Sequence, residues 1–273
     1  MNLFHTSRRL LLTVVFAVVA VSASAQTQTA KPFEPQSGQP GKDVVWVPTP
    51  QPLVDLMLDL AKVTPQDFVM DLGSGDGRNI IGAAKRGARG KGVEWNQDMV
   101  DLSQKLAREA GVADKAEFVQ GDMYAADISK ANVMAMFLLT ENLDKLMPKF
   151  IDLKPGSRIV INGFGITGWS PDVTERATGD CGSWCTVHLF HVPAKVGGTW
   201  QLASGQLTIK QSFQKITGTL ANGGNSTPIE GSLDGEAITF TAGNATYSGR
   251  VNGNSMSGEV KGGSGSKWSA TKK

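Results

Sequence analysis

Residues Val69-Met-Asp71-Leu-Gly73-Ser-Gly75-Asp-Gly77-Arg78 constrain this chain more than any other stretch. An apolar run ends in an acid, glycines alternate with small polar residues, and a helical period begins at once. Glycine lets the backbone turn sharply and approach a ligand where a side chain would clash. The helix behind the turn opens with N–H groups that lack intrahelical partners. A strand, a glycine turn and a helix in that order demand an α/β layer fold with a crevice at the strand's carboxyl end.

On either side of that loop strands and helices alternate. Apolar spacing predicts a helix over Pro52–Lys62, with Thr49 and Pro50 suiting its start. It then predicts strand Phe68–Leu72, helix Arg78–Arg86, strand Gly90–Trp95, helix Gln97–Ala110 and strand Ala116–Gln120. Strand Asn132–Leu139, helix Asn142–Leu153 and strand Arg158–Phe164 follow. These strands are near-continuous apolar runs, as expected where helices cover both sheet faces. The expected core is a doubly wound α/β sheet within residues 45–196. Residues 26–44, rich in Gln, Thr, Pro and Gly, read as a flexible leader.

From about Gly197 the rhythm changes. Residues 197–273 hold 15 of the 32 glycines and show short alternating runs in place of a helical period. Asp234-Gly235 and Asn252-Gly253 lie between such runs and suit two-residue hairpin turns. This region is expected to form a small antiparallel β-module, a barrel or a sandwich. Trp200 and Trp268 are expected to close its core, and so short a module leaves little interior for a ligand.

The first 25 residues, MNLFHTSRRLLLTVVFAVVAVSASA, have the layout of an export signal. Arg8 and Arg9 precede an apolar run from Leu10 to Val21, and Ala23-Ser24-Ala25 offers a cleavage site. That run falls short of the roughly 20 residues a membrane span needs, so none is expected after cleavage. Ser7-Arg8-Arg9-Leu10 suits the twin-arginine route as well as Sec, and either leads to an exported, periplasmic protein. Cleavage removes two arginines from 27 basic residues set against 25 acidic ones, leaving a formally neutral chain. No nucleic-acid partner is expected from such a balance. In an oxidising compartment Cys181 and Cys185 are expected to pair. A zinc site using them with His188 and His191 has poor geometry, and no metal is expected.

Two further acids stand where an adenosine ligand would meet them. Glu94 ends the strand after the glycine loop, where a carboxylate accepts hydrogen bonds from both ribose hydroxyls. Asp122, in Gln-Gly-Asp-Met123, ends the next strand within reach of an adenine amino group. A dinucleotide fold requires G-x-G-x-x-G to seat a pyrophosphate, whereas the spacing here is Gly73-x-Gly75-x-Gly77 behind Asp71. An acid before the loop favours a ligand with a cationic end, such as S-adenosylmethionine. No Gly-Lys-Ser/Thr follows, which excludes a Walker loop.

Asp-Leu-Gly-Ser-Gly-Asp-Gly-Arg, Gly-Val-Glu-Trp-Asn and Gln-Gly-Asp-Met resemble the motifs of class I S-adenosylmethionine-dependent methyltransferases. With Trp46-Val-Pro-Thr-Pro50, they are similar to bacterial relatives of a mitochondrial protein-lysine methyltransferase group. Gly168-Trp-Ser-Pro-Asp172 and Val192-Pro-Ala-Lys-Val-Gly-Gly-Thr-Trp200 are similar to the bacterial members. The likeness spans about residues 45–200 and implies a Rossmann-like methyltransferase sheet, with the β-module added behind it. It implies that Asp71, Gly73, Gly75, Gly77 and Glu94 bind S-adenosylmethionine, with Asp122 and Met123 flanking the adenine.

The acceptor, a protein side chain or a small molecule, is not named by the residues. Met136-Phe-Leu-Leu-Thr140-Glu-Asn lacks the Asn/Asp-Pro-Pro-Tyr signature of methylation on bases or glutamine. Thr140, Asn162 and Trp169 are the acceptor-side candidates. Thr140 and Glu141 also suit a helix cap, and the resemblance implies a histidine more often than an asparagine at the position of Asn162, a departure from the family pattern. A non-catalytic adenosine-binding scaffold, with a partner-binding β-module, is the alternative.

Overall fold

The computed structural model describes Met1 and residues 33–179, 181–263 and 266–273. Apart from Met1, the export signal over residues 1–25 lies outside the described residues, as do residues 26–32 of the leader. Helix α1 (Gln51–Leu60) starts on Pro50 with a proline in its first turn and buries Leu53, Val54, Met57 and Leu58. Then follow β1 (Phe68–Leu72), α2 (Arg78–Lys85), β2 (Arg89–Glu94), α3 (Gln97–Glu109) and β3 (Ala116–Gln120). β4 (Val133–Met136), α4 (Thr140–Phe150), β5 (Arg158–Asn162), β6 (Val173–Arg176) and β7 (Thr186–His191) complete the sheet region.

The seven strands lie in the order β3-β2-β1-β4-β5-β7-β6. β1 to β5 run parallel, and β7 pairs antiparallel with both β5 and β6. Strand order reverses between β1 and β4, so the crevice opens beyond their carboxyl ends. Alternation along the strands feeds two cores. Val69, Val133, Ala135 and Val160 pack with α1, α2 and α3 on one face. Met70, Leu72, Met134, Ile159 and Ile161 pack with Leu143, Leu146 and Phe150 of α4 on the other. β4 and β5 end earlier than their apolar runs suggest, because Phe137 and Phe164 leave the sheet at its carboxyl edge. Among the described residues no helix is long and apolar enough to cross a membrane.

The C-terminal region resolves the choice between barrel and sandwich. β8 (Gly198–Leu202), β9 (Gly205–Ser212), β10 (Lys215–Asn222) and β11 (Asn225–Asp234) are followed by β12 (Ala237–Ala242) and β13 (Ala245–Asn252). β14 (Ser255–Lys261) and β15 (Lys267–Lys272) end the chain. Each strand pairs antiparallel with the next, and β15 returns to β8, closing a barrel of eight strands that leaves no free edge. Its interior is filled by Trp200, Phe240, Trp268 and aliphatic neighbours. A Cβ on Gly249 would stand 3.0 Å from the Trp268 ring, and one on Gly231 would stand 2.5 Å from Phe240 Cβ. Inward glycines thus make room for the large rings. The two-residue turns fall one position later than expected, on Gly235-Glu236 and Gly253-Asn254, where glycines with φ of 58° and 56° lead each turn.

Barrel and sheet meet at a packed seam. Trp169 is 2% exposed, stacked on Phe213 of the β9–β10 turn (4.9 Å between centroids) and edge-on to Phe190 of β7 (5.4 Å). Gln214 Nε2 donates to the Ser170 carbonyl at 2.6 Å, and the Ala194 N–H donates to the Gly235 carbonyl at 2.8 Å. Trp169→Ala is expected to cost about 3 kcal/mol or more, as for other large-to-small changes at buried aromatics. Urea denaturation checks this. A loss below about 0.5 kcal/mol, as at an ordinary surface position, would contradict the packing role.

Candidate active site

The glycine loop is built as its spacing requires. Gly73, Gly75 and Gly77 have φ of 73°, 55° and 80°, the left-handed region that disfavours any side chain. The Gly73 and Ser74 N–H groups both donate to the Val93 carbonyl, at 2.8 and 3.1 Å, tying the loop to β2. Gly75 is needed for space as well, since Trp46 Nε1 lies 2.5 Å from where its Cβ would stand. Arg78 grips Asp76 through Nε (2.9 Å) and Nη2 (2.5 Å), while its Nη1 donates to the Thr49 carbonyl at 2.6 Å. Trp46-Val-Pro-Thr-Pro50 is therefore fastened to the loop from above.

Asp71 lies in β1 and is 3% exposed. One oxygen, Oδ2, accepts from Asn79 Nδ2 at 3.0 Å, and Oδ1 has no partner among the described residues. Burial pushes its carboxyl well above the ordinary range. The Asn79 hydrogen bond opposes that rise, and the neighbouring Glu94 and Asp76 carboxylates add to it. Glu94 spans two loops, its Oε2 accepting from the Gly75 N–H and its Oε1 from the Asn96 N–H, each at 2.9 Å.

Asp122 Oδ1 accepts from the Tyr124 N–H at 2.8 Å, and its Oδ2 pairs with Lys42 Nζ at 2.7 Å. The Lys42 hydrogen bond, helped by that of Tyr124, holds this carboxyl below its usual range. Lys42 also sits 4.4 Å from the Trp95 ring centroid. One crevice takes in Gly73, Glu94, Trp95, Asp122, Met123 and Phe137, with residues 39–47 along its rim. Gly77, by contrast, serves as the N-cap of α2. A mobile leader to residue 44 does not hold for its later part. Gly38 N–H donates to the Trp46 carbonyl (2.8 Å) and Trp46 N–H to the Gln39 carbonyl (2.9 Å), so these residues fold back as a strap.

The acceptor-side candidates do not form one group. Thr140 is the first residue of α4, whose N-cap is Leu139 with no side-chain cap, so the expected Thr140 or Glu141 cap is absent. Asn162 is wholly buried at the end of β5, and neither its amide oxygen nor its nitrogen has a partner among the described residues. Trp169 packs in the seam on Phe213 and Phe190 and does not line the crevice, in keeping with a packing role. His188 bonds Thr174 Oγ1 at 2.9 Å with its pKa lowered by burial, and His191 Nδ1 lies 2.7 Å from Asp234 at the barrel. Both cysteines are consumed in the Cys181–Cys185 disulfide, which leaves no thiolate for zinc. Sequence reasoning missed Lys42 and the ring cluster of Phe137, Phe164 and Trp184. Only the Trp46 motif hinted at the strap.

The family model of the ANTKMT methyltransferase domain matches residues 71–173, from Asp71 to the start of β6. A protein-lysine N-methyltransferase of Saccharolobus islandicus (strain REY15A) is 44% identical over 151 residues, which take in 54% of this chain and 92% of that protein. The chain belongs to this methyltransferase family. It is an S-adenosylmethionine-dependent methyltransferase. A Salinibacter ruber crystal structure described as an RNA methyltransferase with S-adenosyl-L-homocysteine is 46% identical, with a TM-score of 0.51. That match covers 55% of this chain and 96% of the other. The adenine nucleotide translocase lysine N-methyltransferase of Mus musculus is 31% identical over 151 residues, taking in 52% of this chain and 66% of that protein.

The methyltransferase keeps an acid at Asp71 in spite of its burial, and that has a measurable consequence. A carboxyl raised in the folded state carries no penalty while both states are protonated. The penalty grows as pH climbs from the unfolded value of about 3.9 through the raised folded value. Asp71→Asn is therefore expected to raise the thermal midpoint of the free enzyme at neutral pH, with the gain shrinking toward pH 4. Calorimetric scans across pH check this; a gain that grows on acidification would contradict the burial argument.

Proposed function

We propose that this enzyme transfers the methyl group of S-adenosylmethionine to the ε-amino group of a protein lysine, outside the cytoplasm. The observation that carries the acceptor class is the 44% identity to a protein-lysine N-methyltransferase over 92% of that protein's length. The Salinibacter ruber relative is described as an RNA methyltransferase instead. The charge balance supports the protein acceptor. With its signal removed the chain carries 25 basic and 25 acidic residues, too even a balance to hold a phosphate backbone.

The side chains present fit the cofactor. The free, buried Asp71 Oδ1 suits its amino group, an acceptor that otherwise stands unpaired. Each Glu94 oxygen already accepts one backbone N–H and keeps a lone pair for a ribose hydroxyl. Asp122 and Met123 flank the adenine position, where Lys42 must yield its hold on Asp122 to an adenine amino group. Gly73 and Gly75 keep the loop free of Cβ atoms, and Gly77, whose Cβ would stand 2.5 Å from the Phe118 ring, turns the chain into α2. When bound, the cofactor supplies an electrophilic methyl carbon on a sulfonium. The chain's part is alignment of the acceptor nitrogen and exclusion of water, and the amide oxygen of Asn162 offers an acceptor for the amine N–H.

Export rests on Arg8-Arg9, the apolar run behind them and Ala23-Ser24-Ala25, and is supported by the disulfide, a bond that persists in oxidising compartments. Glu94→Ala is expected to weaken S-adenosylhomocysteine binding at least about tenfold, the worth of one charge-assisted hydrogen bond. Calorimetry of the mature chain reads that change. Incubation with methyl-labelled S-adenosylmethionine and an envelope extract is expected to label protein at lysine, and Glu94→Ala to lose the label. Label in RNA, or unchanged affinity in Glu94→Ala, would overturn this reading.

A further inference from the structure

Trp184 is a large apolar side chain left 40% exposed at the carboxyl edge of the sheet. It stands on the short loop between β6 and β7 that the Cys181–Cys185 disulfide closes. Both cysteines are buried in the core that α1, α2 and α3 share with the sheet, so the loop is anchored there while its tryptophan stays exposed. The anchoring continues in the backbone. Ala177 N–H donates to the Cys185 carbonyl at 2.8 Å, and Gly163 N–H to the Thr186 carbonyl at 2.7 Å.

Two more rings meet it there. Phe137, just past β4, lies 5.7 Å from Trp184 and 6.0 Å from Phe164, just past β5; Phe164 and Trp184 are 6.4 Å apart. Phe137 also lines the cofactor crevice. Gly163 has φ of 74°, and Trp184 Cδ1 lies 2.9 Å from where its Cβ would stand, so a side chain at 163 would displace the indole. One residue earlier is the buried Asn162 with its unpartnered amide. Val160 and Val69, two residues before Asn162 and Asp71, pack in the same core, which puts that amide on the sheet face of the Asp71 carboxylate.

We propose that the disulfide loop is part of the acceptor site: Trp184, with Phe137 and Phe164, walls the channel that takes the methylene stem of a lysine, and the disulfide holds that wall in place. This rests on the lysine reading given above. A lysine stem is a flexible chain of four methylenes, and flat rings give it apolar contact while leaving its nitrogen free for the Asn162 amide. The loop is short and Trp184 is partly exposed; once the sulfurs part, the indole is held by its ring contacts and by the backbone bonds at Cys185 and Thr186, with the Cys181 end of the loop released. Opening it returns conformational freedom to the residue that forms the wall.

The test uses the 15N-labelled mature chain saturated with S-adenosylhomocysteine and titrated with Nα-acetyl-L-lysine methylamide. The Trp184 indole N–H resonance, assigned with Trp184→Phe, reads the channel. A saturable shift is expected, with none from the alanine methylamide that lacks the stem. In Trp184→Ala and in the double variant Cys181→Ser/Cys185→Ser, lysine-amide affinity read on the remaining resonances is expected to fall at least fivefold. S-adenosylhomocysteine affinity should stay within twofold, which also shows that the variants fold. Reduction of the wild type by a dithiol, giving two cysteine thiols and the dithiol's own disulfide, is expected to weaken the amide equally and reversibly. Cofactor binding retained with equal lysine-amide affinity in all forms, or with no shift in the wild type, would overturn the channel and leave the cofactor site standing. A wild type that does not bind S-adenosylhomocysteine would overturn both.

Discussion

Strand β1 carries a carboxylate into the buried interior, and the chain turns immediately afterwards through three left-handed glycines. Neither feature is stabilising by itself. Burial penalises the charged Asp71, and glycines cost conformational entropy on folding. What holds the turn is a set of bonds from three directions. Val93 receives two loop N–H groups, Glu94 takes the Gly75 N–H, and Arg78 joins Asp76 to the Thr49 carbonyl. The loop is thus fixed before any ligand arrives, with Asp71 Oδ1 lacking a partner among the described residues. A site preorganised at the expense of stability is what alignment of two reactants requires.

The family match ends near β6, and the barrel lies beyond it. The seam shows how a small closed module attaches to such a sheet. Trp169 comes from the loop after β5, Phe190 from β7 and Phe213 from a barrel turn, where it holds a φ of 52° that is rare outside glycine. Gln214 and Gly235 add polar bonds around that stack. The barrel's own interior is filled by rings facing glycines.

Much of the sheet was legible because its signals are local. The apolar runs of β1 to β5, the helical period of α1 to α4 and the glycine loop each declare themselves within a dozen residues. The spacing put Asp71, Glu94 and Asp122 at or near three successive strand ends, and the structure places Glu94 and Asp122 on one crevice with Asp71 buried in β1 before the loop. What was not legible depends on distant partners. β6 has every residue exposed and so carries no alternation to detect. Closure of the barrel depends on β15 finding β8, across the whole module. Whether Trp169 walls an acceptor pocket or packs could not be read locally, because Phe213, which covers it, is far away in sequence. The leader's Gln, Pro and Gly composition hid a strap whose hold comes from Asp122 and Trp95. Trp184 was hidden by the cysteines around it, which draw attention to themselves.

Hydrogen exchange of the mature chain, with and without saturating S-adenosylhomocysteine, tests the central claim that the glycine loop and its three acids form the cofactor site. Protection is expected in peptides spanning residues 73–78, 93–96 and 120–124 and in the strap around Lys42, with the barrel strands unchanged. Protection confined to the barrel, or no change in the glycine loop under conditions where the ligand is bound, would contradict the account.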